Sequence, residues 1–200
     1  MLTVVWDVDE TLNHYIQELL VYINFCLDKN INFENIKYYN LTKSLPFLTE
    51  VECWYYLDKF KFIGKYEELK PNEKIYEWFQ KYGHKAYHIA LTAASLRASH
   101  ISASWIFQNF GQWIRGIQII PSDPTENVII YDKKKIDWLK RNKADIYIED
   151  CEENYIEAKK LGFESLLIKK PWNNGESIEI VLEKLTNFLG VYDTSSRLHF

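Results

Sequence analysis

The 200-residue chain predicts an α/β protein: an all-parallel sheet of about five strands, with a small helical segment inserted after the first strand. Three observations predict it. Residues 2–6, Leu-Thr-Val-Val-Trp, form an apolar run that ends in Asp7 and Asp9. That is how a central parallel strand, buried on both faces, reads. From Lys85 onward, short apolar runs alternate with helical patterns. Between these two regions, residues 12–80 show helical periodicity alone.

The inserted segment begins with Ile16, Leu19, Leu20, Ile23 and Leu27, spaced by steps typical of a helix face. A polar, Asn-rich stretch covers 28–40. Residues 49–62 form an aromatic-rich helix with Trp54, Tyr55, Tyr56 and Phe60. Pro71 opens a third helix that carries Ile75, Trp78, Phe79 and Tyr82, and Gly83 stops it.

The alternating part has strands at 87–93, 116–120, 145–148 and 165–168. Helices cover 95–110, 134–141, 152–161 and 178–189. Ser95 stands where a helix cap belongs, and Gly111 and Gly162 stop their helices. The short apolar run 127–131 has no assigned role, and 192–200 reads as a loose tail. The expected division is a Rossmann-like core of 1–11 and 81–200, with a helical cap of 12–80.

Composition narrows the function classes. The chain is 47% hydrophobic and 26% charged, with net charge -4. Only four residues are Arg and no long basic tract exists, which argues against an extended nucleic-acid surface but permits a small nucleotide. Cys26, Cys53 and Cys151 are odd in number and widely spaced, against a disulfide framework. No signal-peptide pattern or bilayer-spanning apolar stretch occurs. The expectation is a soluble, cytoplasmic protein; oligomeric state is not readable.

The chemistry-bearing residues cluster at predicted strand ends, where open α/β sheets bind ligands. Asp7 and Asp9 are two apart, so on a strand they share a face. Carboxylates that close repel, and a hard divalent cation with oxygen ligands, such as Mg²⁺, would hold them. One could attack an electrophile while the other handles a proton. An acidic turn is the bland alternative.

Thr92 ends the second strand, beside a helix N-terminus suited to a phosphate oxygen. Glu149 and Asp150 follow the fourth strand, and adjacent acids there are costly unless they bind a cation or face solvent. Between these lies Asp132-Lys133-Lys134-Lys135. Lys133 is assigned the inward position, because Ile136 follows three residues later; Lys134 and Lys135 remain alternatives. His84 and His88 on a strand would be about 13 Å apart, too far for a shared zinc ion. Cys151 has no histidine nearby in sequence and reads as a bystander thiol.

These four pieces, in this order, resemble the motifs of the haloacid dehalogenase superfamily of phosphohydrolases. Asp7-Val-Asp9-Glu-Thr11 matches its first motif, Thr92 the second, Lys133 the third and Asp150 the acidic fourth. Tyr39-Asn40-Leu41-Thr42, Leu69-Lys70-Pro71 and Lys170-Pro171-Trp172-Asn173 further resemble segments of its 5′(3′)-deoxyribonucleotidase-like branch. Glu149 departs from that branch, which usually has Asp there.

The resemblance implies a phosphomonoester hydrolase that works through an aspartyl-phosphate. Asp7 would be the nucleophile and Asp9 the acid and base. Thr92 and Lys133 would bind phosphate. Mg²⁺ would be held by Asp7, Asp9 through its backbone carbonyl, and Asp150. The implied substrate is a small phosphorylated molecule, a deoxynucleoside or ribonucleoside monophosphate in that branch. The alternatives are another small phosphomonoester, a polynucleotide end, or a non-catalytic phosphate-ligand-binding protein on the same fold.

Overall fold

The computed structural model describes residues 1–124 and 126–190. The tail expected at 192–200 lies outside the described residues. Strands β1 (Thr3–Trp6), β2 (Tyr87–Ala94), β3 (Ile114–Pro121), β4 (Ile146–Glu149) and β5 (Glu164–Leu167) form one sheet. Their order is β3-β2-β1-β4-β5, and every neighbouring pair is parallel. The predicted α/β class and five-strand parallel sheet are therefore found. The helices are α1 (Tyr15–Leu27), α2 (Leu41–Ser44), α3 (Glu50–Phe62), α4 (Glu73–Tyr82), α5 (Leu96–Phe110), α6 (Lys135–Asn142), α7 (Glu152–Lys160) and α8 (Ile178–Phe188). Segment 127–131 is neither helix nor strand.

β1 is the central strand because its residues are apolar on both faces. Val4 and Trp6 join the larger core, with Phe79 of α4, Trp105 and Phe110 of α5 and Leu185 of α8. Val5 points the other way, into a core with Ile136 and Leu139 of α6, Tyr147 of β4 and Ala158 of α7. Alternation along one strand thus supplies two helix-covered faces. β3 starts two residues earlier than expected, because Ile114 pairs with His88 ahead of a register shift.

The inserted segment leaves and rejoins the sheet at adjacent points. The Asn72 N–H donates to the Leu12 carbonyl at 2.8 Å. Beyond that contact α4 packs on the sheet: the ring centroids of Trp6 and Phe79 are 4.9 Å apart. Trp78 Nε1 also donates to Thr186 Oγ1 of α8 at 2.9 Å. α4 thus packs on β1 and α8, and the expected cap boundary at residue 80 falls within it. Helical periodicity cannot tell which body a helix packs against.

β1 lies at the switch point of the sheet, since the chain proceeds to β2 and β3 on one side and to β4 and β5 on the other. The crevice beyond the C-terminal ends of β1, β2 and β4 is where such a sheet accepts a ligand.

Candidate active site

The β1 ladder runs one step past the strand: the Asp7 N–H donates to the Ile148 carbonyl at 2.9 Å. The chain then turns. The Thr11 and Leu12 N–H groups both donate to the Val8 carbonyl, and Glu10 sits at a φ of 61°, in the left-handed region. Glu10 accepts from the Ile16 and Gln17 N–H groups at 2.7 and 3.2 Å, closing the open N-terminus of α1. Lys170 pairs with its other oxygen at 3.1 Å. This turn buries Asp7 and leaves the Asp9 side chain 21% exposed, facing the inserted helices.

The lysine that reaches Asp7 is Lys135, not Lys133. Lys135 Nζ donates to Asp7 Oδ1 and pairs with Glu149 Oε2 at 3.0 Å. Lys133 is exposed, and its N–H donates to Asp137 Oδ2 at 3.1 Å, as does that of Lys134. The physical reason is where the helix starts. α6 begins at Lys135, so three-residue spacing back from Ile136 to Lys133 lies outside the helix. Lys135 instead shares the buried face with Trp138 and Leu139, three and four residues on. That pattern was present in the sequence and could have selected Lys135.

Glu149, read from the sequence only as an acid beside Asp150 that could bind a cation or face solvent, anchors this lysine. Besides Lys135 it accepts from the Tyr147 hydroxyl, from the Asp150 and Cys151 N–H groups at 3.1 Å each, and from Asn154 Nδ2 at 3.2 Å. Its two oxygens are fully engaged. Asp150 is the opposite case: both carboxylate oxygens are buried and neither has a hydrogen-bond partner. The Asp150 carbonyl is pinned from behind by Trp172 Nε1 at 3.1 Å and Asn173 Nδ2 at 2.6 Å.

Carboxylate oxygens of Asp7, Glu149 and Asp150 lie within 4.8 Å of one another. Burial, reinforced by Glu149, pushes Asp7 up to about 7, against the pull of Lys135. Burial and the neighbouring Asp7 and Glu149 charges push Asp150 well above the carboxylate range. Three acids against one ammonium, one acid with empty oxygens, is a donor set that fits a hard divalent cation. Since Glu149 is saturated, Asp7 and Asp150 are the carboxylates free to serve. The Asp9 carboxylate is not part of this cluster, which leaves that residue its backbone carbonyl.

Asp9 has its own partners. Its Oδ1 accepts from the Tyr66 hydroxyl at 2.6 Å and from Asn13 Nδ2 at 3.2 Å. Thr92 lies buried on β2, paired in register with Ile119. Asp7, Asp9, Thr92 and Asp150 all open onto one cavity of about 380 Å³ between the sheet and the inserted helices. Ser95 also lines it, but its hydroxyl donates to Asp58 Oδ1 of α3 at 2.6 Å rather than capping α5. The Glu126 carboxylate takes the capping place, accepting from the Leu96 and Arg97 N–H groups at 2.7 and 2.9 Å. His88 is buried, with its ring nitrogens at Trp6 Nε1 and the Gly83 carbonyl, and Cys151 is a buried thiol raised by burial. No helix of the described residues is long and apolar enough to cross a membrane.

No family model matches the chain. "Putative nucleotidase BH1399" of Halalkalibacterium halodurans is 25% identical over 168 residues, covering 84% of this chain and 79% of that protein. The haloacid dehalogenase-like family protein SP0104 of Streptococcus pneumoniae superposes with a TM-score of 0.66 at 16% identity, over 94% of this chain and 98% of that one. The "putative HAD-hydrolase YfnB" of Bacillus subtilis, solved bound to magnesium, gives 0.61 at 12% identity over 94% and 98%. The chain has the haloacid dehalogenase-like fold, the one that the four motifs imply.

Proposed function

We propose that this protein is a Mg²⁺-dependent phosphomonoester hydrolase that acts on nucleoside monophosphates through an aspartyl-phosphate on Asp7. The observation that carries the reading is the pairing of Asp7, buried and bound by Lys135, with Asp150, whose buried oxygens have no partner.

In this reading a carboxylate oxygen of Asp7 attacks phosphorus, and the bond from phosphorus to the leaving oxygen breaks. Asp9 gives its proton to the departing alkoxide. It then takes a proton from the water that hydrolyses the acyl phosphate and regenerates Asp7. The Thr92 hydroxyl and the Lys135 ammonium bind the non-bridging phosphoryl oxygens, so the phosphate role expected of Lys133 passes to Lys135. Asp7, Asp150 and the Asp9 backbone carbonyl would hold Mg²⁺. When bound, the ion offsets the charge of the carboxylates and the phosphoryl group. Glu149 keeps Lys135 charged and aimed at Asp7.

Two observations support a nucleotide as substrate. The relative from Halalkalibacterium halodurans bears a nucleotidase name. The cavity above the acids is walled by Tyr39, Trp54 and Trp172, flat surfaces suited to a base. The segments 1–12 and 72–190 serve as the catalytic body and 13–71 as its cap.

The test is phosphate release from deoxynucleoside and ribonucleoside monophosphates and sugar phosphates, with and without Mg²⁺. Release from deoxynucleotides that needs Mg²⁺ and disappears in Asp7→Asn is the expected result. Release from sugar phosphates alone would keep the chemistry and replace the substrate. Undiminished turnover by Asp7→Asn would remove Asp7 as nucleophile.

A further inference from the structure

Lys61 and Tyr66 are buried polar side chains that the scheme above leaves unused. Both come from the inserted segment, and both meet at Asp9. Lys61, near the end of α3, is almost wholly buried. Its ammonium donates to Ser102 Oγ of α5 at 2.9 Å. It lies over the rings of Tyr15 and Tyr66, 5.2 and 4.7 Å from their centroids. A lysine enclosed this way is costly, and its ammonium is drawn down by burial against the pull of Asp9 and Asp58. No hydrogen bond from Lys61 to Asp9 compensates it: Nζ stands 3.9 Å from Asp9 Oδ2. Tyr66, also fully buried, spends its hydroxyl proton on Asp9 Oδ1 at 2.6 Å, and Asn13 Nδ2 bridges both at 3.2 Å.

The two oxygens of Asp9 are therefore unequal. Oδ1 is fixed by two donors. Oδ2 is the oxygen beside the ammonium, and Asp9 and Lys61 line the cavity together. A buried ammonium 3.9 Å from a carboxylate oxygen can share a third oxygen with it, one that sits beside the pair on the cavity side at hydrogen-bond distance from both.

We propose that Tyr66 is a positioning residue that fixes Asp9 by Oδ1 so that its proton moves through Oδ2, and that Lys61 is the cation that meets the leaving-group oxygen there. The inference rests on the phosphatase reading. In that first step the phosphorus–oxygen bond breaks and negative charge gathers on the leaving oxygen. Lys61 stabilises that charge as it develops, and the Asp9 proton is transferred to the same oxygen. Since both residues arrive from the inserted segment, the acid is complete only when that segment sits on the sheet. The preferred substrate class follows: phosphate esters of poor, alkyl leaving groups, which need a proton and a cation to depart.

The experiment compares kcat/KM, which reports the leaving-group step, for two substrates in the presence of Mg²⁺. A deoxynucleoside 5′-monophosphate has an alkyl leaving group; p-nitrophenyl phosphate has one that departs without protonation. The variants are Tyr66→Phe, which keeps the ring, and Lys61→Met, which keeps the length. Both are checked by thermal melting, and either one that folds suffices for the test. The expected result is a loss of at least about tenfold on the nucleotide and less than about threefold on the aryl ester. Equal losses on both substrates, or none on either, would overturn the inference and leave the phosphatase reading standing. A wild-type protein inert toward both esters would overturn the two together.

Discussion

At Lys135, burial pulls the ammonium's pKa down, but the Asp7 and Glu149 carboxylates more than reverse this and hold it above the ordinary lysine range. The group is thus held as an ammonium against the Asp7 carboxylate, the proposed nucleophile. Replacing it by methionine keeps the stem and removes the charge. Lys135→Met should lower turnover by about 10²- to 10³-fold, the usual consequence of losing one fixed donor at a transferring group. Lys133→Met should stay close to wild type, since that side chain is in solvent. Steady-state phosphate release decides between them, and the reverse ranking would restore the assignment made from spacing. Glu149 belongs to the same scale. Five donor groups surround its carboxylate, Lys135 among them.

Among the elements, β1 and β2 are joined by a side-chain bond that makes the sheet sensitive to acid. Trp6 Nε1 donates to His88 Nδ1 at 3.0 Å, and His88 Nε2 meets the Gly83 carbonyl at 2.9 Å. Nδ1 must accept and Nε2 must donate, so the ring is neutral. Burial pulls its pKa down to about 4. Above the ordinary histidine value of 6.5 neither folded nor unfolded chain binds this proton. Between 6.5 and 4 the unfolded chain binds it and the folded one does not, so stability falls as pH falls. The full loss is about 3 kcal/mol. Denaturant unfolding at a series of pH values should show that slope in the wild type and a flatter one in His88→Gln. At the start of α3, Thr49 and Glu52 form a reciprocal capping box, with the Thr49 N–H at 2.8 Å from Glu52 Oε2 and the Glu52 N–H at 3.2 Å from Thr49 Oγ1. Thr49→Ala should cost about 1 kcal/mol in the same assay.

For the whole molecule, the proposed Mg²⁺ site would couple metal binding to folding. Asp7, Glu149 and Asp150 come from two strand ends that only the folded sheet brings together. Mg²⁺ should therefore raise the melting temperature, equivalent to about 2.7 kcal/mol at a hundredfold excess over Kd. Asp150→Asn removes the buried carboxyl group whose oxygens lack a partner. It should melt higher than the wild type without Mg²⁺ and gain nothing when Mg²⁺ is added. A variant that still responded fully would move the ion away from Asp150.

The sequence by itself determined the strands, their acids and their order along the chain. Apolar runs such as Val4-Val5-Trp6 mark buried strands because desolvation acts residue by residue, and Asp7, Asp9, Thr92 and Asp150 stand out at the ends of those runs. Tertiary structure decided the partners. Lys135 meets Asp7 across 128 residues and Tyr66 meets Asp9 across 57. No local period encodes such contacts. The helix start at Lys135 turned the first, since one residue around a helix rotates a side chain by about 100°. The return of the inserted segment onto the sheet made the second. The packing of α4 was decided in the same way, by the contacts of the Trp78 and Phe79 rings with Trp6. An apolar helical stripe specifies that a face is buried and leaves open what buries it.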